Sequence, residues 1–180
     1  MTGLSIRRTA ALITIGTALA AAPTAASAAS ATLKDTEGKE VGTVELTQMA
    51  ADGVLLKADI TGLPPGVHAF HIHETGKCEP PFKSAGGHFN PDNDTHGYMT
   101  EDGPHAGDMP NIHVPDSGKL TIEVYNSEVS VDEGGLLDDE EGYLFDDDGS
   151  AIVIHDGADD YKSQPSGNAG NRIACGVIEK

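Results

Sequence analysis

Six of the eight histidines fall between Val67 and Asp108: His68, His71, His73, His88, His96 and His105; His113 and His155 follow later. Neutral imidazole is the commonest metal ligand in proteins, and neither a packed core nor a solvated face accounts for such a density of it. His71 and His73 are two apart in an apolar run, Val67–His73, that reads as a strand. Period two puts both rings on one face, two rigidly held nitrogens suited to copper or zinc. His68 and Phe70 have the opposite parity, so His68 reads as a packed, hydrogen-bonded neighbour of the ligands and not as one of them. Beyond the strand, His88, His96, His105 and Asp108 offer three imidazoles and a carboxylate, the donor set of a tetrahedral zinc site. Their gaps of 8, 9 and 3 residues fit no helix or strand period, so a folded loop must gather them. His155 ends another apolar run, from which it is placed to join His71 and His73 across a sheet.

The elements that must position these groups are short and alternate. Ala31–Asp35 and Val41–Met49 flank a turn with Gly38 inside it, and Val54–Ile60 repeats the pattern with Leu56, Ala58 and Ile60 opposed to Lys57 and Asp59. Thr61–Gly66 breaks the chain before Val67–His73. Lys119–Asn126 alternates through Leu120, Ile122 and Val124. Val129 and Val131, Ala151–His155 and Arg172–Ile178 supply the rest. No run with a helical period is present after the first 28 residues. About eight strands with turn signals between them predict an all-β antiparallel barrel or sandwich, with a long loop after the His71–His73 strand and a polar loop, 157–171, before the last one.

The 180 residues suit one domain preceded by a leader. Arg7 and Arg8 head an alanine-rich apolar run, and Ala26-Ser27-Ala28 is a small-residue cleavage signal. Residues 1–28 therefore read as a secretory signal peptide and 29–180 as the domain. A membrane anchor is the alternative, and the run is short for that. Removing the leader leaves nine basic residues against 29 acidic ones, a net charge of −20, which argues against nucleic acid and anionic membranes as partners. An exported chain with only Cys78 and Cys175 is expected to pair them, two free thiols being the other reading. The segment 132–149, with Asp138 to Glu141 and Asp146 to Asp148, reads as a solvated acidic loop, since its carboxylates lack the spacing of a calcium-binding EF-hand.

Six motifs in order, HAFHIHETGKC (68–78), SAGGHFNP (84–91), THG (95–97), PHAGDMPN (104–111), AIVIHDGADD (151–160) and GNAGNRIACGVI (167–178), resemble the copper/zinc superoxide dismutase family, the exported bacterial branch most closely. The resemblance covers nearly all of Ala31–Ile178. It implies an eight-stranded Greek-key barrel. It implies His71, His73, His88 and His155 as copper ligands and His88, His96, His105 and Asp108 as zinc ligands, with His88 shared. By the same resemblance Asp159 links His71 to His96, Arg172 guides the substrate anion beside the copper, and Cys78–Cys175 ties the metal loop to the last strand. Two departures stand out. The 157–171 loop is short, with Lys162 its only lysine, and the acidic segment 132–149 is long for the family.

What the resemblance implies for function is one copper and one zinc per chain and dismutation of superoxide. Two superoxide anions and two protons give dioxygen and hydrogen peroxide through a Cu(II)/Cu(I) cycle, with His88 bridging the metals. It also implies export to the periplasm or beyond, and either a monomer or a homodimer. A non-enzymatic copper-binding or copper-delivery protein on the same fold is the competing expectation. Retention of all seven ligand positions together with Asp159 and Arg172 favours turnover, because a carrier needs no anion-guiding arginine.

Overall fold

A computed structural model of the chain describes residues 28–133 and 142–180. The expected leader lies outside the described residues apart from Ala28, which opens the first strand opposite Thr47. The centre of the acidic segment, including Asp138 to Glu141, lies outside them as well, while Asp146, Asp147 and Asp148 are exposed. Among the described residues no helix is long and apolar enough to cross a membrane.

The architecture is all-β and antiparallel. The strands are β1 (Ala28–Asp35), β2 (Glu40–Gln48), β3 (Val54–Thr61), β4 (Gly66–His68), β5 (Phe70–His73), β6 (Ile112–Val114), β7 (Lys119–Asn126), β8 (Ala151–His155) and β9 (Arg172–Glu179). Seven form one sheet in the order β5-β8-β9-β1-β2-β3-β7, and β4 pairs with β6. Since β4 runs into β5 across Ala69 and β6 turns into β7, the two ends of the long sheet are joined and it curls into a barrel. The neighbours β1–β9 and β3–β7 are far apart in sequence, the long returns of a Greek-key connection. The alternation read from the sequence is the burial pattern: Val44, Leu46, Leu56, Ala58 and Ile60 fill the interior with Phe70, Ile72, Ile152 and Ile154.

Two strand expectations are corrected. Val67–His73 is not one strand. The N–H of Ala69 donates to Gly157 O and its carbonyl accepts from His155 N, so this residue leaves the ladder and β4 and β5 take different partners. Val129 and Val131 form no strand. Their side chains are buried, but among the described residues the only pairing there is an isolated bridge between Ser130 and Tyr143. The strand the sequence did not disclose is Ile112–Val114, three residues between Pro110 and Pro115.

The loop that carries His88, His105 and Asp108 is built on the free edge of β5. Ile72 N donates to Gly107 O at 2.9 Å, Phe89 N donates to Ile72 O at 2.9 Å and Glu74 N donates to Gly87 O at 3.1 Å. These contacts satisfy an edge strand's backbone groups and lay residues 87–89 and 107–108 beside the histidines of β5. Gly107 is required by the approach, since a Cβ there would strike Ile72 O and Phe89. The outer face of the sheet is sealed by a second apolar cluster, Phe82, Ala85, Ala151, Val153 and Cys175, with Cys78 against it.

Cys78 and Cys175 are bonded, 97 residues apart in sequence, and join the 74–86 segment to β9. Closing a loop of about 100 residues restricts the unfolded chain by up to ~4.7 kcal/mol on the loop-entropy view. Reduction is therefore expected to lower the melting temperature and to speed amide exchange in residues 78–86 before the barrel strands. Thiol labelling of the unfolded, unreduced protein checks the pairing, and two labels per chain would contradict it.

Candidate metal centre

Seven of the nine sequence-identified histidine and aspartate positions at the site are gathered into two touching quartets, His71, His73, His88 and His155, and His88, His96, His105 and Asp108. The eighth, Asp159, bridges them from outside. Within each quartet, one ligand-type atom from every residue lies within 4.8 Å of the others, and all seven residues are buried. The ring centroids of His71 and His88 are 4.0 Å apart, those of His73 and His88 5.0 Å, and those of His88 and His105 5.4 Å.

Each side chain has a local reason for its aim. On β5, Phe70 and Ile72 enter the apolar core while His71 and His73 take the opposite face, so both faces of the strand are covered. His71 and His73 lie opposite Val153 and Ala151 of β8. Two residues beyond Val153 along the same face comes His155, where a register shift between Ile154 and His155 turns the strand end. His68 sits apart from both quartets. It is buried, with Nδ1 2.8 Å from His155 O and Nε2 2.9 Å from Pro64 O, and so packs under the carbonyl of a residue of the first quartet.

Asp108 is the hub of the second quartet. Its carboxylate accepts from His88 Nδ1 at 2.7 Å, from His96 Nδ1 at 3.0 Å, and from the backbone N–H groups of Gly97 and His105. Asp159 accepts from His71 Nε2 at 2.8 Å and from His96 Nε2 at 3.0 Å, joining one histidine of each quartet. Gly167 passes directly over this pair. Its φ of +65° is a left-handed conformation, and a Cβ there would collide with Asp159 Oδ1 and press on His96 Nε2.

Charge follows from this arrangement. Burial, reinforced by neighbouring rings, lowers His88 to about 3 and His155 to about 4, and drives His73 well below its ordinary value. These rings are neutral at pH 7, the state in which a histidine ligates metal. Burial acts in the same direction on His96, but the carboxylates of Asp108 and Asp159 outweigh it and raise His96 to about 9. Against the upward pull of burial, the same histidines hold Asp108 and Asp159 well below the usual carboxylate range.

A buried polar atom without a partner costs about 1–3 kcal/mol. Among the described residues the buried side-chain atoms with none are His71 Nδ1, His73 Nε2, His88 Nε2, His105 Nδ1 and His155 Nε2. The first quartet thus presents four unpartnered imidazole nitrogens to one another. His105 Nδ1 faces Asp108 Oδ1 at 3.4 Å without bonding it. His88 belongs to both sets, its Nδ1 on Asp108 and its Nε2 unpartnered. Four nitrogens suit copper, and three imidazoles with one carboxylate suit zinc, so the donor sets fit the two metals.

Arg172 is fixed beside the first quartet by two carbonyls of the disulfide-tied segment. Nη1 donates to Phe82 O and Nη2 to Gly86 O, both at 2.6 Å. Gly86 O also accepts from His73 Nδ1 at 3.1 Å, so guanidinium and imidazole share an acceptor. Arg172 stands opposite His155 in the β8–β9 ladder and is half-buried.

Several residues that hold the ligands carried no signal in the sequence. Tyr98 donates from its hydroxyl to Asp108 O. Asn111 grips both backbone groups of Asp159, Nδ2 donating to its carbonyl at 2.9 Å and Oδ1 accepting from its N–H at 2.8 Å. Gln164 does the same to His96. Tyr98 and Gln164 lie outside every motif, and Asn111, the last residue of PHAGDMPN, gives no sign there of its partner; only the fold shows what they touch.

Fold and site together define a β-barrel with two adjoining quartets of side chains that could each hold a metal ion and that share one histidine. The family model for copper/zinc superoxide dismutase (SODC) matches residues 40–178, and the chain belongs to that family. A superoxide dismutase [Cu-Zn] 2 of Aquifex aeolicus is 53% identical over 152 residues, 83% of this chain and 85% of the relative. A superoxide dismutase [Cu-Zn] of Caulobacter vibrioides is 46% identical over 153 residues, 84% of this chain and 85% of the relative. The crystal structure of a double mutant of a SOD-like protein from Bacillus subtilis has a TM-score of 0.78 at 40% identity, covering 84% of this chain and 97% of that one.

Proposed function

We propose that the protein is an exported superoxide dismutase in which His71, His73, His88 and His155 hold copper, and His88, His96, His105 and Asp108 hold zinc, with His88 bridging. The observation that carries this reading is the set of four buried, unpartnered nitrogens facing one another at His71, His73, His88 and His155. Copper held by the first quartet would supply one-electron chemistry between Cu(II) and Cu(I) for the overall conversion of two superoxide anions and two protons to dioxygen and hydrogen peroxide, whereas zinc would supply no redox chemistry.

The chain's own groups supply the rest. Arg172 presents a guanidinium, always charged, to the incoming anion from an anchor on two carbonyls. His88 Nε2 is the atom placed to take up a proton and pass it to the product, because among the described residues it is the nitrogen of that ring without a protein partner. Through four hydrogen bonds Asp108 and Asp159 fix the ring directions of three histidines, His71, His88 and His96, and their charge raises ligand basicity. The positioned guanidinium favours turnover over metal carriage, for which it has no use. The disulfide agrees with an oxidising compartment, and we place the mature domain at 29–180 in the periplasm after loss of the leader.

Asp159→Asn should weaken zinc retention by ~10–100-fold, the usual cost of losing a group that orients a ligand imidazole. The asparagine NH2 would face a ring N–H where the carboxylate now accepts. Competition with a chelator measures the affinity, and a value equal to wild type would show that Asp159 is a loop residue only. The activity itself is tested by rapid superoxide loss in metal-replete protein that cyanide inhibits. A fully metallated sample with no activity above free buffer would overturn the reading.

A further inference from the structure

We propose that Gln164, in the loop between β8 and β9, is a positioning residue for His96, and that its carboxamide governs how slowly the His88–His96–His105–Asp108 quartet releases its metal. This rests on the reading of that quartet as the zinc site. His96 lies in neither strand nor helix, and exposed residues flank it at 92–95 and 98–99, yet its ring is fully buried between two carboxylates. A ring can be aimed no better than the backbone that carries it.

That backbone is held from 68 residues away. His96 N donates to Gln164 Oε1 at 2.9 Å, and Gln164 Nε2 donates to His96 O at 2.9 Å. The two bonds close a ring of the kind formed between paired strands, with a side-chain amide standing in for the second backbone. The remaining N–H of the same amide donates to Lys162 O at 3.2 Å, which ties the clamp to its own loop. All the donors of the carboxamide are therefore used. The reversed amide would set donor against donor at His96 N. Gln164 is an exposed residue, whose side chain is ordinarily left to water. Its engagement with one backbone unit is what marks it.

The clamp completes a docking of two loops. Met99 N donates to Tyr161 O at 3.0 Å, and Gly97 N donates to Asp108 Oδ2 at 2.8 Å. Residues 96–99 are thus held on one side by Asp108 and on the other by the 161–164 turn. Only the second hold fixes the N–H of His96 itself. Thr100 Oγ1 also reaches His96 O, at 3.2 Å, but from within the same loop, so it cannot set that loop's position. Ligands held loosely by their supports lose metal, and groups of this kind typically matter by ~10–100-fold.

The test uses the full mature chain as wild type, Gln164→Leu and Gln164→Glu. The first variant removes both bonds; the second keeps the shape and an acceptor but cannot donate to His96 O. Each is loaded with zinc, and release to an excess of a chromophoric chelator is followed. The metal-free chains are melted, and the visible spectrum of cobalt(II) in the quartet is recorded. We expect release at least ~10-fold faster in both variants, a shifted cobalt spectrum, and metal-free melting temperatures close to wild type. Release at the wild-type rate in both variants would overturn the proposal. So would faster release matched by an equal loss of melting temperature without metal, which would make Gln164 a general loop brace. Wild type that takes up no stoichiometric zinc would instead refute the quartet as a zinc site, an outcome visible before any variant is examined.

Discussion

His88→Ala should lower superoxide turnover by at least ~100-fold, the lower end of what a positioned proton donor contributes, while the barrel stays folded. The same residue is the one member common to both quartets, so its loss removes a nitrogen from each and leaves Asp108 without its closest ring. The fold is spared for a local reason. The contacts that dock residues 87–89 on β5 are backbone bonds from Glu74 N to Gly87 and from Phe89 N to Ile72, and the neighbouring Phe89 is buried in the core. Stopped-flow measurement of superoxide decay, normalised to bound copper, checks this. Activity within ~10-fold of wild type would show that His88 neither bridges nor delivers a proton.

Arg172→Glu should cut the rate at low salt by at least ~10-fold, equivalent to about 1.4 kcal/mol in the barrier, with both metals still bound. The sign of the salt effect is the sharper result. A chain at −20 without its leader should repel an anion, and salt acting on that net charge alone would raise the rate. At ~0.1 M salt the Debye length is about 10 Å, so distant carboxylates are screened while the guanidinium anchored on Phe82 O and Gly86 O beside His73 is not. The local field should win, and the wild-type rate should fall as salt rises. In Arg172→Glu, which also faces Glu74, the slope should flatten or reverse. Rates taken across ionic strength at fixed pH decide it, and equal slopes in the two proteins would remove Arg172 from the steering.

What could be read from the sequence is what side-chain chemistry writes into it. Imidazole is scarce enough that His71, His73, His88, His96 and His105 announce a metal site before any fold is known, and the period of two along β5 correctly put the first two on one face. Alternation located β2, β3 and β7 because each has one face in the barrel interior. The same signal misled at Val129 and Val131, whose burial is real but whose backbone is not paired as a strand: apolar spacing reports where side chains go and not where N–H groups bond. Ile112–Val114 was hidden by being three residues long between prolines, and the break at Ala69 by depending on carbonyls from Gly157 and an N–H from His155. The contacts of Gln164, and of Asn111 and Gly167 although both fall inside motifs, were hidden for a related reason. Each acts on a residue tens of positions away or on a close approach that only the folded loops create, and no local pattern encodes that.

The most direct test of the central claim is a count of copper and zinc per chain in purified mature protein supplied with both ions. Two quartets with different donor sets and one shared histidine predict one copper and one zinc, with zinc retained when copper is withdrawn by a Cu(I) chelator under reducing conditions. A chain that binds two zinc ions and cannot be loaded with copper, or that binds a single ion however it is supplied, would contradict it.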